Sequence, residues 1–128
     1  MSVLSTKIKV QGSKQEMTLE ALFDSGASDS IIKSEYAYKL GNPDNLPYPL
    51  SFEIASENQD ITISKRIGLD FYIDNNRLMD EFLLFDNLSE DMIIGASTMQ
   101  KYRMKLDFDV DKVTVDPKVT KKILKKIS

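Results

Sequence analysis

Apolar and polar residues alternate along most of this chain, and this period of two is the feature that most limits its fold. Successive side chains of a β-strand point to opposite faces, so the pattern is typical of strands with one buried and one exposed face. The alternation is clearest from Ile67 to Ile73. It recurs at Ile8 to Val10, Met17 to Phe23, Phe52 to Ile54, Ile61 to Ile63, and Met104 to Val115. We therefore predict a mostly β domain.

The chain has 128 residues, a length that fits one domain with one core. We place this domain at residues 1–117, followed by a tail at 118–128 that holds five lysines and no acidic residue. A short basic run of this kind is usually a solvated helix or a frayed end. With a net charge of -3, we expect no nucleic-acid partner.

Cysteine and histidine are both absent, which excludes several kinds of active site. No disulfide framework, Cys/His zinc site, or nucleophile activated by histidine is possible. Acid–base chemistry is left chiefly to Asp, Glu, Lys and Tyr, and we expect no metal and no cofactor. The sequence shows no signal peptide and no run of 18 apolar residues, so we expect a cytoplasmic protein without a membrane partner.

Breaks in the alternation predict the turns and helices. Ser34 to Gly41 is expected to be a short helix, with the serine capping its start and the glycine ending it. The three prolines at 43, 47 and 49 should then interrupt regular structure. Other predictions are a hairpin from Phe52 to Ile63, a turn at 74–76, a doubly covered strand at 82–85, a strand and short helix at 92–102, and a turn at 111–112.

One triplet, Asp24-Ser25-Gly26, is a candidate catalytic loop because it directly follows the apolar residues Leu22 and Phe23. Two such carboxylates a few ångströms apart would share a proton, so that one acts as base and the other as acid. The simpler interpretation is an ordinary turn, since all three residue types are common in turns. The triplet alone leaves both interpretations open.

The segment Leu22 to Ser28 resembles the active-site stretch of the retropepsin family of aspartic peptidases, and Met92 to Gly95 is similar to the second signature of that family. The resemblance covers about residues 5–116. It implies a small closed β-barrel-like fold, a homodimer, and a peptide or protein substrate. Because the chain has a single Asp-Ser-Gly triplet, the resemblance also implies that Asp24 meets its copy from a second subunit.

The resemblance further implies roles for individual residues. Asp24 would be catalytic, and Ser25 and Gly26 would support the active-site loop. Substrate would contact Gly26, Ala27, Ser28 and Asp29, together with Ile54, Ala55, Ser56 and Glu57 of a flap formed by the hairpin. The second signature would pack through Ile93, Ile94 and Gly95.

The hairpin tip departs from the family pattern, because residues 55–60 contain two acids and no glycine. This leaves a second hypothesis, a non-catalytic peptide- or protein-binding module with the same fold. The acids at 107, 109 and 111 do not form a calcium loop, since Lys112 and Lys118 stand where such a loop needs Gly and Glu.

Overall fold

The computed structural model describes residues 3–54 and 59–120. The strands in this part of the chain are β1 (Val3–Gln11), β2 (Glu16–Asp24), β3 (Ile31–Lys33), β4 (Asp44–Ile54), β5 (Gln59–Ile73), β6 (Asn76–Phe85), β7 (Met92–Ile94), β8 (Lys105–Asp107) and β9 (Lys112–Thr114). The helices are α1 (Ser34–Leu40), α2 (Ala96–Lys101) and α3 (Pro117–Thr120). The predicted mostly β fold is confirmed.

Six strands close into a barrel in the order β1-β2-β7-β3-β6-β5. Pairing of β5 with β1, through Val10 opposite Phe71 and Gln11 opposite Asp70, closes the ring. Strand β4 lies outside the ring at the free edge of β5, and β8 and β9 form a separate two-stranded sheet. The closed β-barrel-like fold is therefore confirmed.

The alternation predicts which side chains fill the barrel. Along β5 the residues Ile67, Leu69, Phe71 and Ile73 are each at most 4% exposed. The ring of Phe71 packs edge-to-face against Phe82, with 5.7 Å between ring centres. On β6, Phe82, Leu83 and Leu84 are all buried, as predicted for a strand covered on both faces, while Phe85 at the end of the predicted stretch is half-buried.

The link between β5 and β6 is a two-residue turn at Asp74 and Asn75, which have positive φ angles of 51° and 65°. Two consecutive left-handed residues make the turn whose twist matches an antiparallel hairpin. Asp and Asn tolerate this backbone conformation better than other non-glycine residues. The turn predicted at 74–76 is thus confirmed.

One prediction near α1 is wrong, and another is confirmed in part. Ser34 is the first helical residue, the preceding Lys33 occupies the cap position, and no side-chain hydrogen bond caps this end. Pro43 lies in the link before β4, as predicted, whereas the prolines at 47 and 49 lie inside β4, at a shift of register between Asn45 and Leu50. An edge strand accommodates proline because the missing N–H faces away from its only neighbour. Gly41 ends the helix as predicted, and its N–H bonds to the carbonyl of Ala37.

The predicted alternating strand from Met104 to Val110 is too long. Strand β8 ends at Asp107, and Phe108 and Val110 lie in the turn before β9, where they are 49% and 64% exposed. The reason is local: the N–H of Asp109 bonds to the side chain of Asp107, and Asp111 has a positive φ of 50°. Aspartates therefore form a turn where the apolar pattern predicts a strand.

At the other end of β9, helix α3 holds the first residues of the basic tail, and residues 121–128 lie outside the described part. No helix in the described residues is long and apolar enough to cross a membrane.

Candidate active site

Asp24 is the last residue of β2 and is placed by strands on both sides. It pairs with Val3 of β1, and the preceding Phe23 pairs with Ile94 of β7. The ring of Phe23 is fully buried, so the strand end is fixed in the core, while Asp24 is half-buried. The carboxylate thus lies at the boundary between the core and solvent.

The loop after Asp24 is held by its own backbone. The N–H of Gly26 donates to Asp24 Oδ1 at 2.8 Å, and the N–H of Ala27 donates to the carbonyl of Asp24 at 3.1 Å. One carboxylate oxygen therefore has a fixed donor, while Oδ2 has no hydrogen bond to the described residues. Ser25 and Gly26 are exposed at the tip. Both residues are therefore accessible to a second molecule at this surface.

The second signature packs against this loop. Strand β7 runs between β2 and β3, parallel to β2, with Leu22 opposite Ile93. Beyond it, the N–H of Ala96 donates to the carbonyl of Ala27 at 2.7 Å, and that of Ser97 to the carbonyl of Ser28 at 3.1 Å. The structure therefore brings together residues 24–29 and 93–95, which were predicted as one site from separate motifs.

Gly95 is required by this close approach. A Cβ atom at this position would lie 2.4 Å from the carbonyl oxygen of Asp29 and 2.9 Å from that of Ala27. Both neighbours are backbone atoms, which cannot move aside without displacing the loop. The glycine of the second signature thus sets the distance between α2 and the active-site loop.

Three polar residues were not among the predicted site residues: Ser30 at the end of the loop, and Thr98 and Asp80 behind it. The hydroxyl of Ser30 accepts the N–H of Gly95 at 3.0 Å and lies 2.6 Å from the hydroxyl of Thr98, which donates to Asp80 at 2.8 Å. Ser30 and Thr98 are 3% and 1% exposed. The only sequence signal for them is a hydroxyl residue beside apolar residues, which is too common to single them out.

An apolar surface adjoins Asp24. Side chains two residues apart on a strand share a face, so Leu22 lies on the same face of β2 as Asp24. Ile93 is the Cα partner of both Leu22 and Ile31, and all three are half-buried. Leu22 and Ile31 were also not predicted as site residues, although the alternation places Leu22 on the face opposite the core.

A groove runs from Ser25 along α2 and β8, with an apolar lining of Met99, Met104 and Leu106. Arg103 lies on the groove, and its guanidinium is 3.3 Å from Asp116. The N–H of Lys118, which donates to the Asp116 carboxylate, lowers the pKa of Asp116 from its usual value, and Arg103 adds to this effect.

The other predicted substrate contacts lie on the hairpin from Phe52 to Ile63. Its two strands, which belong to β4 and β5, pair as predicted. Ile54 ends β4 and pairs with Gln59, the first residue of β5. Ala55, Ser56 and Glu57 lie outside the described residues. Among the residues that the structure describes, no group of three or more His, Cys, Asp or Glu side chains is arranged to hold a metal ion.

Comparisons with known proteins agree with this geometry. A family model described as retroviral aspartyl protease matches residues 3–121. The retroviral protease-like domain of Ddi1 from Leishmania major is similar in structure, with a TM-score of 0.64 and 18% identity over 91% of this chain and 90% of that one. EIAV protease, solved with the inhibitor HBY-793, has a TM-score of 0.57 and 14% identity over 77% and 86% of the two chains. At these identities the two structures show a shared fold. No curated protein sequence matches the chain.

Proposed function

Since the chain belongs to the retroviral aspartyl protease family, we propose that it is one subunit of a homodimeric aspartic endopeptidase. One observation supports this most directly. The Asp24 carboxylate is oriented by the Gly26 N–H, on a loop that α2 holds in place, and its second oxygen makes no hydrogen bond to the described residues. An ordinary turn at Asp24 to Gly26 would not need hydrogen bonds from α2 to the residues that follow it.

The dimer follows from the number of carboxylates. Peptide hydrolysis by this chemistry needs one carboxylate as base and one carboxylic acid, and the chain has one Asp-Ser-Gly triplet. A two-fold axis beside the loop would bring the two Asp24 side chains together, with Ser25 of each subunit contacting the opposite loop.

In the proposed reaction, the ionised Asp24 takes a proton from a water molecule, which attacks the peptide carbonyl. The protonated Asp24 of the other subunit donates its proton to the carbonyl oxygen, giving a tetrahedral diol. As the diol collapses, the first Asp24 gives the proton it took from water to the amide nitrogen, the other Asp24 takes back a proton from one diol hydroxyl, and the C–N bond breaks to leave a carboxylic acid and an amine. No cofactor takes part.

The surroundings of Asp24 favour an extended peptide with an apolar residue near the bond that is cut. Leu22, Ile31 and Ile93 offer an apolar surface on the same side as the carboxylate. Residues Gly26 to Asp29 would bind the peptide backbone, and the hairpin of β4 and β5, including Ile54 and residues 55–57, would close over it as a flap. Closure of such a lid excludes water and positions the substrate.

Substitution of Asp24 by Asn tests the mechanism, because it keeps the shape of the side chain and removes its acid–base capacity. We expect cleavage of a diverse peptide mixture at pH values of about 3.5–7 to fall about a thousandfold or more. Asp74→Asn is the matched control, since it makes the same chemical change in the exposed turn after β5. Cleavage that survives Asp24→Asn would rule out the proposed mechanism.

A binding module with the same fold is the second candidate, and the hairpin tip without glycine favours it. Sedimentation at several protein concentrations, read together with the peptide-cleavage assay, separates the two candidates. A dimer that cleaves nothing supports the binding module. A species that stays monomeric at high concentration leaves Asp24 without a partner and contradicts the endopeptidase.

A further inference from the structure

The active-site loop caps helix α2. The first N–H groups of a helix have no partner within the helix and need acceptors from elsewhere. Here the cap residue Gly95 has no acceptor side chain, and the N–H groups of Gly95, Ala96 and Ser97 all donate to the loop. The acceptors are Ser30 Oγ and the carbonyls of Ala27 and Ser28. Two of these acceptors are backbone atoms, and the third is a side chain that can rotate.

Ser30, Thr98 and Asp80 are joined by two hydrogen bonds, and the carboxylate of Asp80 determines which group donates in each. An ionised carboxylate only accepts, so the Thr98 hydroxyl donates its single proton to Asp80 at 2.8 Å. The Ser30 hydroxyl must then donate to Thr98, across 2.6 Å. This leaves the lone pairs of Ser30 for the N–H of Gly95 at 3.0 Å. The chain of donors therefore runs from Gly95 through Ser30 and Thr98 to Asp80.

The carboxylate of Asp80, the last acceptor in this series of hydrogen bonds, is itself held in place. Its other carboxylate oxygen accepts the N–H of Glu81 at 2.8 Å and lies 3.8 Å from the ammonium of Lys101. The neighbouring Met79 also holds α2, because its carbonyl accepts the hydroxyl of Tyr102 at 2.7 Å. Strand β6 thus fixes α2 at its middle and at its C-terminal end.

We propose that Asp80, acting through Thr98 and Ser30, is a positioning residue for the active-site loop; its importance for catalysis rests on the proposed endopeptidase function. Without the Thr98 hydroxyl, the buried Ser30 proton loses its acceptor, and the Ser30 side chain is free to rotate away from Gly95. The loop then loses one of its three bonds to α2. In a two-fold dimer each Asp24 is displaced, so the error in the distance between them is doubled.

Three substitutions on one helix test the proposal by their effect on peptide cleavage. Thr98→Val keeps the shape and removes the hydroxyl, Thr98→Ser keeps the hydroxyl, and Ser97→Ala is a control that deletes an exposed hydroxyl. We expect Thr98→Val to lower kcat about ten- to hundredfold, since small displacements of reacting groups have effects of this order. KM should change less than kcat, because the apolar surface of Leu22, Ile31 and Ile93 lies on strands that the substitution does not touch. Thr98→Ser should restore most of kcat.

Asp80 itself is tested by a double-mutant cycle. If it acts through Thr98, Asp80→Ala should lower kcat as Thr98→Val does, and the double variant should be no worse than either single one. Additive losses would overturn the proposed path from Asp80 to the loop.

Amide hydrogen exchange at residues 95–97 tests the positioning role without any need for activity. We expect Thr98→Val to speed exchange at these amides about tenfold or more relative to the rest of the chain, and Thr98→Ser and Ser97→Ala to leave it unchanged. Unchanged exchange in Thr98→Val would overturn the proposal, and so would a uniform rise through the whole chain. If the wild-type protein cleaves no peptide, the proposed function fails, while exchange in Thr98→Val and in Asp80→Ala, which should both speed it, still decides whether Asp80 positions the loop through Thr98.

Discussion

The active-site loop and the hairpin of β4 and β5 would face the same substrate, but they are held very differently. The loop at residues 24–30 receives hydrogen bonds from its own backbone and from three consecutive amides at the start of α2. Among the described strands, β4 of the hairpin pairs with β5 alone, its register shifts across two prolines, and two exposed acids, Glu53 and Asp60, lie directly opposite each other. The loop is thus held by hydrogen bonds from a second element, whereas β4 is held by one neighbouring strand.

This difference matches what an aspartic peptidase requires. The carboxylates must keep a fixed distance to share a proton, whereas a lid must open to admit peptide. Regions that move in function have few buried contacts and low local stability. Stability should therefore be sensitive to small changes at the loop and tolerant of changes along the hairpin.

Of the substitutions that compare the loop with the hairpin, Gly95→Ala should change the free energy of unfolding most. The added Cβ would meet the carbonyl oxygens of Asp29 and Ala27, so we expect a loss of about 3 kcal/mol or more in the free energy of unfolding. Peptide cleavage should fall in parallel. Urea denaturation at a fixed protein concentration measures the change, since dimerisation makes stability depend on concentration.

Gly68→Ala, in the middle of β5, is the matched control. Nothing lies within 4 Å of a Cβ atom at this position, so the substitution should be neutral or slightly stabilising. Equal losses at the two glycines would mean that the close approach at Gly95 is not what holds the loop.

Reversing one charge near the hairpin tip should have a smaller and opposite effect. Like charges directly opposite each other on neighbouring strands destabilise the pairing, so Asp60→Lys should replace repulsion of Glu53 by attraction. We expect amide exchange of Phe52 and Ile61 to slow about two- to fivefold at neutral pH.

Thr62→Lys separates this pairing effect from the simple addition of positive charge. Thr62 is exposed on the same strand and faces the uncharged Ser51. Slower exchange in both variants would show that the local repulsion between Glu53 and Asp60 does not loosen the hairpin.

The contrast between the two regions also explains how far the sequence predicts this protein. Strand positions follow from alternation because burial of one face is a local property of each strand, as at Phe71 and Ile73. Asp24 and Gly95 were found because two short motifs carry them. The closed barrel and the packing of the two signatures were predicted only through the resemblance to a family. The order of the six strands and the pairing of β2 with β7, which joins residues about 70 positions apart, were not predicted.

Side-chain hydrogen bonds were harder to predict. Ser30, Thr98 and Asp80 are separated by up to 68 residues, and their roles depend on distances that no local pattern encodes. The same limit explains the wrong prediction at Ser34, where a suitable residue type lies one position inside the helix and caps nothing. Residue type shows what a side chain can bond to, and only the fold determines which partner is within reach.

The smallest expected effect concerns Asp116, which joins the last helix to the groove beside Ser25. The N–H of Lys118, which donates to the Asp116 carboxylate, lowers the pKa of this group, helped by Arg103. A lowered folded-state pKa stabilises the fold above the unfolded-state pKa, and this stabilisation is lost as pH falls through the folded-state value. Asp116→Asn should therefore slightly lower the urea midpoint at neutral pH, and the difference should vanish under strongly acid conditions. Asp109→Asn, in the exposed turn after β8, removes the same charge as a control. If the urea midpoint of Asp116→Asn differed from that of the wild-type protein by the same amount at every pH, Asp116 would act through its shape. Its negative charge would then not stabilise α3.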